Sequence, residues 1–116
     1  MSPNSIKFEL IVTIVNKGYA EDVVSVAKQA GAEGGTIIHG RGTGIHENAK
    51  LFGISIEPEK EIVLILIDKT KCDSVLLAIS EEVGLNKPSR GVAFVLDVEK
   101  TVGICHLGNG YCSDKK

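Results

Sequence analysis

Residues 6–15 read IKFELIVTIV, and from Leu10 onward this run is almost continuously apolar and rich in β-branched side chains. Such a run is typical of a strand in the middle of a sheet that is covered on at least one face. Two later runs have the same character, EIVLILI at 61–67 and VAFVLDV at 92–98, and a shorter one, GGTIIH at 34–39, is entered through a glycine pair. The sequence therefore predicts four main strands.

Two amphipathic helices are predicted between these strands. The first spans 20–30 and ends before Gly31, a residue type that commonly terminates helices. Its apolar stripe consists of Ala20, Val23, Val24, Ala27 and Ala30. The second spans 71–83, and its apolar face consists of Cys72, Val75, Leu76, Ile79 and Val83. Because Cys72 shares this face, we expect its side chain in the core.

The predicted order is strand, helix, strand, strand, helix, strand, and its two halves resemble each other. LIVTIV, a helix and GGTIIHGRG in the first half correspond to IVLILI, a helix and SRGVAFVLDV in the second. A duplicated unit of this kind predicts an α+β, ferredoxin-like βαββαβ sandwich with both helices on one face of an antiparallel sheet. Since the strands are apolar at nearly every position, we expect other copies of the chain to cover the second face.

Two regions between and after these elements are less regular. Spaced glycines at Gly40, Gly42 and Gly44 predict a glycine-rich loop that begins at Gly40, and little regular pattern follows before the third strand apart from an apolar stretch at 51–56. After the last strand, a turn and residues 101–104 are expected to prolong it.

The composition excludes several classes of protein. The chain has 116 residues with 43% hydrophobic content, which predicts one domain, 1–116. Thirteen basic and fifteen acidic residues lack the basic excess that nucleic-acid binding requires. No run reaches the roughly 18 apolar residues that span a bilayer, so we expect a cytoplasmic protein that is not itself a membrane protein. Three scattered cysteines indicate free thiols.

Three stretches carry a resemblance to a known family. AGAEGGTIIHGRGTG at 30–44, EIVLILI at 61–67 and NKPSRGVAFVLDVEKTVGI at 86–104 are similar to the PII nitrogen-regulatory family of signal-transduction proteins. The resemblance implies a homotrimer whose sheets line a central barrel, with adenine nucleotides as effectors between subunits and no tightly bound cofactor. It also implies an exposed T-loop that contacts a regulated protein, such as a transporter, an enzyme or a transcription factor. Nitrogen control follows only by this analogy.

The same resemblance assigns three functional segments. They are the T-loop at about 42–59, a phosphate-side B-loop at about 84–91 and a C-terminal tail at about 105–116. Backbone amides of the first glycine-rich segment would donate to a nucleotide, and the basic residues of the second would bind its phosphates. The ligand-binding residues implied are Thr36, Arg41, Gly42, Gly44, Lys87, Arg90 and Gly91. The charges around the T-loop are expected to form a solvated, partner-facing surface: Lys50, Glu57, Glu59, Lys60 and Glu61.

The chain departs from the family pattern where phosphates would bind. Val92, Gly103 and Cys105 stand where the family usually carries one lysine and two arginines. Because each charge-assisted contact contributes roughly 1.5 to 3 kcal/mol, their loss predicts weak ATP binding and favours a mononucleotide or another small anion. The segment 42–59 also contains no tyrosine, which excludes control by uridylylation of such a residue.

Two alternatives remain open at this point. Cys105 and Cys112 flank a Gly-Asn-Gly turn and could form a redox-responsive pair, although two ordinary thiols are the simpler interpretation. A trimeric ferredoxin-like metal-handling protein, such as a divalent-cation tolerance protein, is the alternative function. The three histidines lack the spacing of a metal motif, so no metal site is predicted. No recognisable catalytic constellation is present either, and we expect no enzyme.

Overall fold

A computed structural model describes residues 6–43, 49–51, 54–56 and 58–104. Within these ranges a four-stranded antiparallel sheet with strand order β2-β5-β1-β6 carries both helices, and β3 pairs with β4 in a separate two-stranded sheet. The elements are β1 (Phe8–Asn16), α1 (Ala20–Gln29), β2 (Thr36–Arg41), β3 (Ala49–Leu51), β4 (Ile54–Ile56), β5 (Glu59–Asp68), α2 (Lys69–Val83) and β6 (Gly91–Val98). The predicted ferredoxin-like α+β fold is confirmed.

The core lies between the sheet and the two helices. Alternate residues of β1 and β5 point toward the helices because successive side chains of a strand project to opposite faces. The buried residues that meet there are Ile11, Val15, Val63, Ile65 and Ile67 from the strands, Val23 and Ala27 from α1, and Val75 and Ile79 from α2. Both helices therefore contribute the apolar stripes that the sequence predicts.

Cys72 belongs to this core. Its side chain is buried, and burial raises the pKa of the thiol to about 12, with a further contribution from a hydrogen bond with Glu9. A thiol held in its protonated form is a poor nucleophile. Cys72 therefore acts as a small apolar core residue, as predicted.

The other face of the sheet is apolar and partly exposed in the part of the chain that the structure describes. Cross-strand neighbours on it are Leu10 with Leu66 and Leu96, Val12 with Leu64 and Phe94, and Ile14 with Ile62 and Val92. The side chains of Ile38, Val92, Phe94 and Leu96 are 42 to 51% exposed. An apolar surface of this extent is typical of an interaction site.

Three predicted boundaries differ from the structure. Gly40 lies inside β2 and pairs with Lys60, so the glycine-rich loop begins at Gly42, because the ladder with β5 supports the strand through Arg41. The irregular stretch that follows contains β3 and β4. Residues 101–104 do not prolong β6, since β1 pairs with β6 only as far as Val98, opposite Phe8, where β1 itself starts.

Among the residues that the structure describes, neither helix combines the length and the hydrophobicity that a bilayer-spanning segment needs.

Candidate ligand and partner site

One end of the sheet gathers the predicted functional segments. β1 ends at Asn16 and β5 begins at Glu59, while β2 ends at Arg41 and β6 begins at Gly91. In an antiparallel sheet, the end of one strand lies beside the start of its neighbour. The residues that follow β2 and the residues that precede β6 therefore leave the sheet at the same end.

The base of the segment between β2 and β5 is held by the backbone. The amide of Gly42 donates to the carbonyl of Pro58 at 3.2 Å, and the amide of Lys17 donates to the carbonyl of Glu59 at 3.2 Å. The side chains of Lys17 and Glu59 form an exposed ion pair at 3.0 Å. Their hydrogen bond raises the pKa of Lys17 and lowers that of Glu59. The Gly42 amide is thus already bonded within the chain.

Glu61 is a buried carboxylate that caps α1. Its Oε1 accepts hydrogen bonds from the backbone amides of Gly18 and Ala20, both at 3.0 Å. The bond from the Ala20 amide is the main reason that the pKa of Glu61 lies below its ordinary value. His39 lies nearby, with Nδ1 3.7 Å from Oε2 of Glu61. The prediction that Glu61 belongs to a solvated surface is therefore wrong, because its side chain is needed at the start of a helix.

A sequence signal for this cap existed. The N-cap position of α1 is Tyr19, which makes no side-chain hydrogen bond to the helix. The first amides of a helix need acceptors, and the usual capping residues are Ser, Thr, Asp and Asn. A helix that starts at Tyr19 and Ala20 therefore requires an acceptor from elsewhere in the chain, although the sequence does not say which one.

Loop 84–91 has a tight conformation. Gly84 ends α2 in the left-handed region, with φ of 80°. Further along, the amide of Lys87 donates to Gly84 at 3.0 Å, and the amide of Arg90 donates to Lys87 at 3.4 Å. Gly91 has φ of 140°, and a Cβ at this position would collide with the carbonyl oxygen of Ile14. Only glycine allows the loop to enter β6 at this distance from β1.

The two predicted phosphate-binding cations have different surroundings. Arg90 turns back toward α2, where Nη1 donates to the carbonyl of Val83 at 3.3 Å. A cation at the carboxyl end of a helix is favourable, because unpaired carbonyls point there. The ammonium of Lys87 is exposed and has no partner within the described ranges. Lys87 is therefore the freer of the two charges.

A single chain does not bring all the predicted ligand residues together. Thr36 lies in the middle of the sheet opposite Leu64, and Arg41 lies at the end of the same edge strand, β2. Lys87 and Arg90 precede β6, the opposite edge strand. With β5 and β1 between them, the two edges are three strand spacings apart, or roughly 14 Å. Gly44, Cys105 and Cys112 lie outside the described residues.

Two depressions adjoin loop 84–91. A cavity of about 170 Å³ lies between the turn after β1 and this loop, and its lining includes Asn16, Tyr19, Val83, Pro88, Ser89 and Arg90. A larger groove of about 550 Å³ runs between α2 and β6, and its lining includes Leu76, Leu77, Leu85, Asn86 and Val92. Within the described part of the chain, no three His, Cys, Asp or Glu side chains converge as a metal site would require.

Comparison with known proteins places this fold among regulators. The family model described as nitrogen regulatory protein P-II matches residues 8–106. The solved structure of B. subtilis GlnK is similar with a TM-score of 0.64 and 16% identity, over 84% of this chain and 90% of that one. The structure of the B. subtilis GlnK–ATP complex is similar with a TM-score of 0.67 and 18% identity, over 90% and 94%. No curated protein sequence matches the chain.

Proposed function

The chain belongs to the nitrogen regulatory protein P-II family, whose members are signal-transduction regulators rather than enzymes, and we propose that it binds a small effector between subunits of a homotrimer. The effector then controls a partner protein through residues 42–59. The observation that carries the proposal is that predicted ligand residues lie at one end of the sheet but at its two opposite edges, Arg41 and Gly42 at one edge and Lys87, Arg90 and Gly91 at the other. Only contact between copies can bring the residues of the two edges into one site.

The open face of the sheet supports the trimer. Phe94 and Leu96 on β6 and Ile38 on β2 expose apolar side chains that water solvates poorly. If three copies pack these faces together, the β2 edge of one copy can lie beside the β6 edge of the next. Arg41 of one subunit and Lys87 of another then line a shared cleft.

An adenine nucleotide of low charge is the effector class that we favour. The structurally similar B. subtilis GlnK was solved as an ATP complex, which supports a nucleotide. In this chain, however, Val92 presents an apolar side chain beside the loop, and Arg90 is bonded to the end of α2. With fewer free cationic side chains, each added phosphate contributes less to the binding free energy. We therefore expect AMP or ADP to bind at least as well as ATP.

The remaining parts of the proposal follow the family. The protein acts in the cytoplasm, and its target is a transporter, an enzyme or a transcription factor. A redox role for Cys105 and Cys112 stays a prediction, as does a contact of Gly44 with the ligand.

Thermal unfolding with AMP, ADP, ATP, 2-oxoglutarate, bicarbonate and divalent metals tests the proposal. A nucleotide at a hundredfold excess over its dissociation constant adds about 2.7 kcal/mol to the stability of the protein. The Lys87→Ala variant should lose most of this gain, whereas Asn86→Ala, a neighbouring exposed residue without charge, should keep it. Stabilisation by a metal alone, or by no compound, would argue against the proposal.

A further inference from the structure

Asn16, the last residue of β1, joins the start of β5 to loop 84–91, which is far away in sequence. Its Oδ1 accepts a hydrogen bond from Nζ of Lys60 at 2.6 Å, and its Nδ2 donates to the carbonyl of Ser89 at 3.1 Å. One amide group thus uses its acceptor on β5 and its donor on loop 84–91. We propose that Asn16 couples loop 84–91 to the base of the segment between Gly42 and Pro58, so that a change in one loop alters the other.

On one side, Lys60 lies where the chain re-enters the sheet. It pairs with Asn16 on β1 and with Gly40 on β2 in the strand register. Two residues before Lys60, the carbonyl of Pro58 accepts a hydrogen bond from the Gly42 amide and holds the base of the segment. A change in the position of Lys60 therefore alters the backbone where both ends of the segment leave the sheet.

On the other side, Ser89 has an unusual backbone conformation. It is the single non-glycine residue with positive φ, at 65°, among the residues that the structure describes. Such a conformation persists only where the surrounding structure holds it in place. The carbonyl of Ser89 accepts the hydrogen bond from Asn16, and the cavity of about 170 Å³ beside it leaves the loop room to rearrange.

The proposed coupling has two states, of which the structure shows the first. While Ser89 holds the amide of Asn16 in place, the amide oxygen is aimed at Lys60. If a ligand on loop 84–91 allows Ser89 to relax, the amide can rotate and Lys60 loses a well-placed acceptor. A coupling of this kind needs an element with two discrete arrangements that both sites bias. That a ligand uses the device rests on the proposed function, whereas the link itself does not.

Hydrogen exchange followed by NMR tests the link without any ligand. The reporters are the hydrogen-bonded amides of Arg90 on one loop and Gly42 on the other. Lys60→Met removes the contact of Lys60 with Asn16 and leaves Asn16 and loop 84–91 unaltered in sequence, yet it should speed exchange at Arg90 by about fivefold, the effect of losing one hydrogen bond. Asn16→Ala should speed both amides, and the double variant should be no faster than Asn16→Ala alone. Asn86→Ala, in the same loop, is the matched control and should change neither.

Unchanged exchange at Arg90 in Lys60→Met, or effects that add in the double variant, would overturn the proposal. If Asn16→Ala does not fold, Asn16→Asp serves instead. The aspartate keeps an acceptor for Lys60 but lacks the donor for Ser89. It should speed exchange at Arg90 and, through the loss of the Ser89 contact that orients the side chain, at Gly42 as well; an unchanged rate at Gly42 would show that the two contacts are independent.

A second arm of the experiment adds AMP or ADP. In the wild type, the nucleotide should change exchange at both Arg90 and Gly42, whereas in Asn16→Ala it should change exchange at Arg90 alone. If no nucleotide affects the wild type, the proposed effector is wrong, and the ligand-free rates still decide whether Asn16 links the loops.

Discussion

Glu61 illustrates how one side chain in this molecule can serve two elements. It lies on β5, is only 9% exposed, and satisfies amides at the start of α1. An ionised carboxylate is a better acceptor than a neutral amide oxygen, and it also interacts favourably with the positive end of the helix. The charge of Glu61, and not merely its shape, should therefore stabilise the protein.

The residue-scale prediction concerns pH. The pKa of Glu61 is lower in the folded protein than its ordinary value of 4.5. Its contribution to stability is therefore fully present above that value and is lost as the pH falls through the folded pKa. Glu61→Gln should be less stable than the wild type at pH 7, and the difference should shrink below about pH 4.

Urea unfolding from pH 7 to pH 3 measures this difference. Glu81→Gln is the matched control, because Glu81 is exposed on α2, and it should follow the wild type at every pH. A constant gap between Glu61→Gln and the wild type across this range would show that the charge has no part in the cap.

Side-chain contacts of this kind were the part of the site that the sequence could not predict. Asn16 and Ser89 are 73 positions apart, and Gly18 and Glu61 are 43 apart. Hydrophobic periodicity reports which face of an element is buried, but it carries no information on which distant polar group meets which. The spaced glycines and the basic loop marked where the site lies, and the partners of Arg90 and Glu61 appeared only with the fold.

At the scale of elements, hydrophobic periodicity is sufficient to predict the main strands and helices. The main strands and helices begin and end close to their predicted limits because their apolar patterns are long. Gly40 was assigned to a loop from its residue type alone, yet pairing with Lys60 keeps it in β2. The weak pattern at 51–56 did not reveal β3 and β4, since three-residue strands are too short for an alternation to be recognised.

The junction between loop 84–91 and β6 provides the element-scale prediction. Because a Cβ at Gly91 would collide with the backbone of β1 and because φ is 140°, Gly91→Ala should lower the free energy of unfolding by about 2 kcal/mol or more. Gly34→Ala should be close to neutral, since no atom lies within 4 Å of the added Cβ. Chemical denaturation measures the free energy of unfolding of both variants. Equal losses in Gly91→Ala and Gly34→Ala would show that the loop adapts freely to the added Cβ.

At the scale of the whole molecule, we expect the open sheet face to decide how copies associate. The sequence predicted a second covered face because its strands are apolar at nearly every position, and the structure places those side chains on one surface. An apolar residue that is still more exposed, Leu77, lies on α2, away from this face. These two locations allow assembly and general surface hydrophobicity to be separated.

Charge substitutions distinguish the two surfaces. Phe94→Glu places a carboxylate where subunits should meet, and burying an unpaired charge costs several kcal/mol. We expect the association constant to fall more than about a hundredfold, so that a folded monomer predominates in sedimentation velocity. Leu77→Glu should leave assembly intact. Disruption by Leu77→Glu and not by Phe94→Glu would assign the interface to the helical side.

Native mass spectrometry of the protein with AMP, ADP and ATP tests the central claim most directly, because one spectrum reports both subunit number and bound nucleotide. The account predicts a species with three times the mass of one chain that carries up to three nucleotides, with AMP or ADP retained at least as well as ATP. A monomer, or a trimer that retains no adenine nucleotide at any concentration tried, would contradict it.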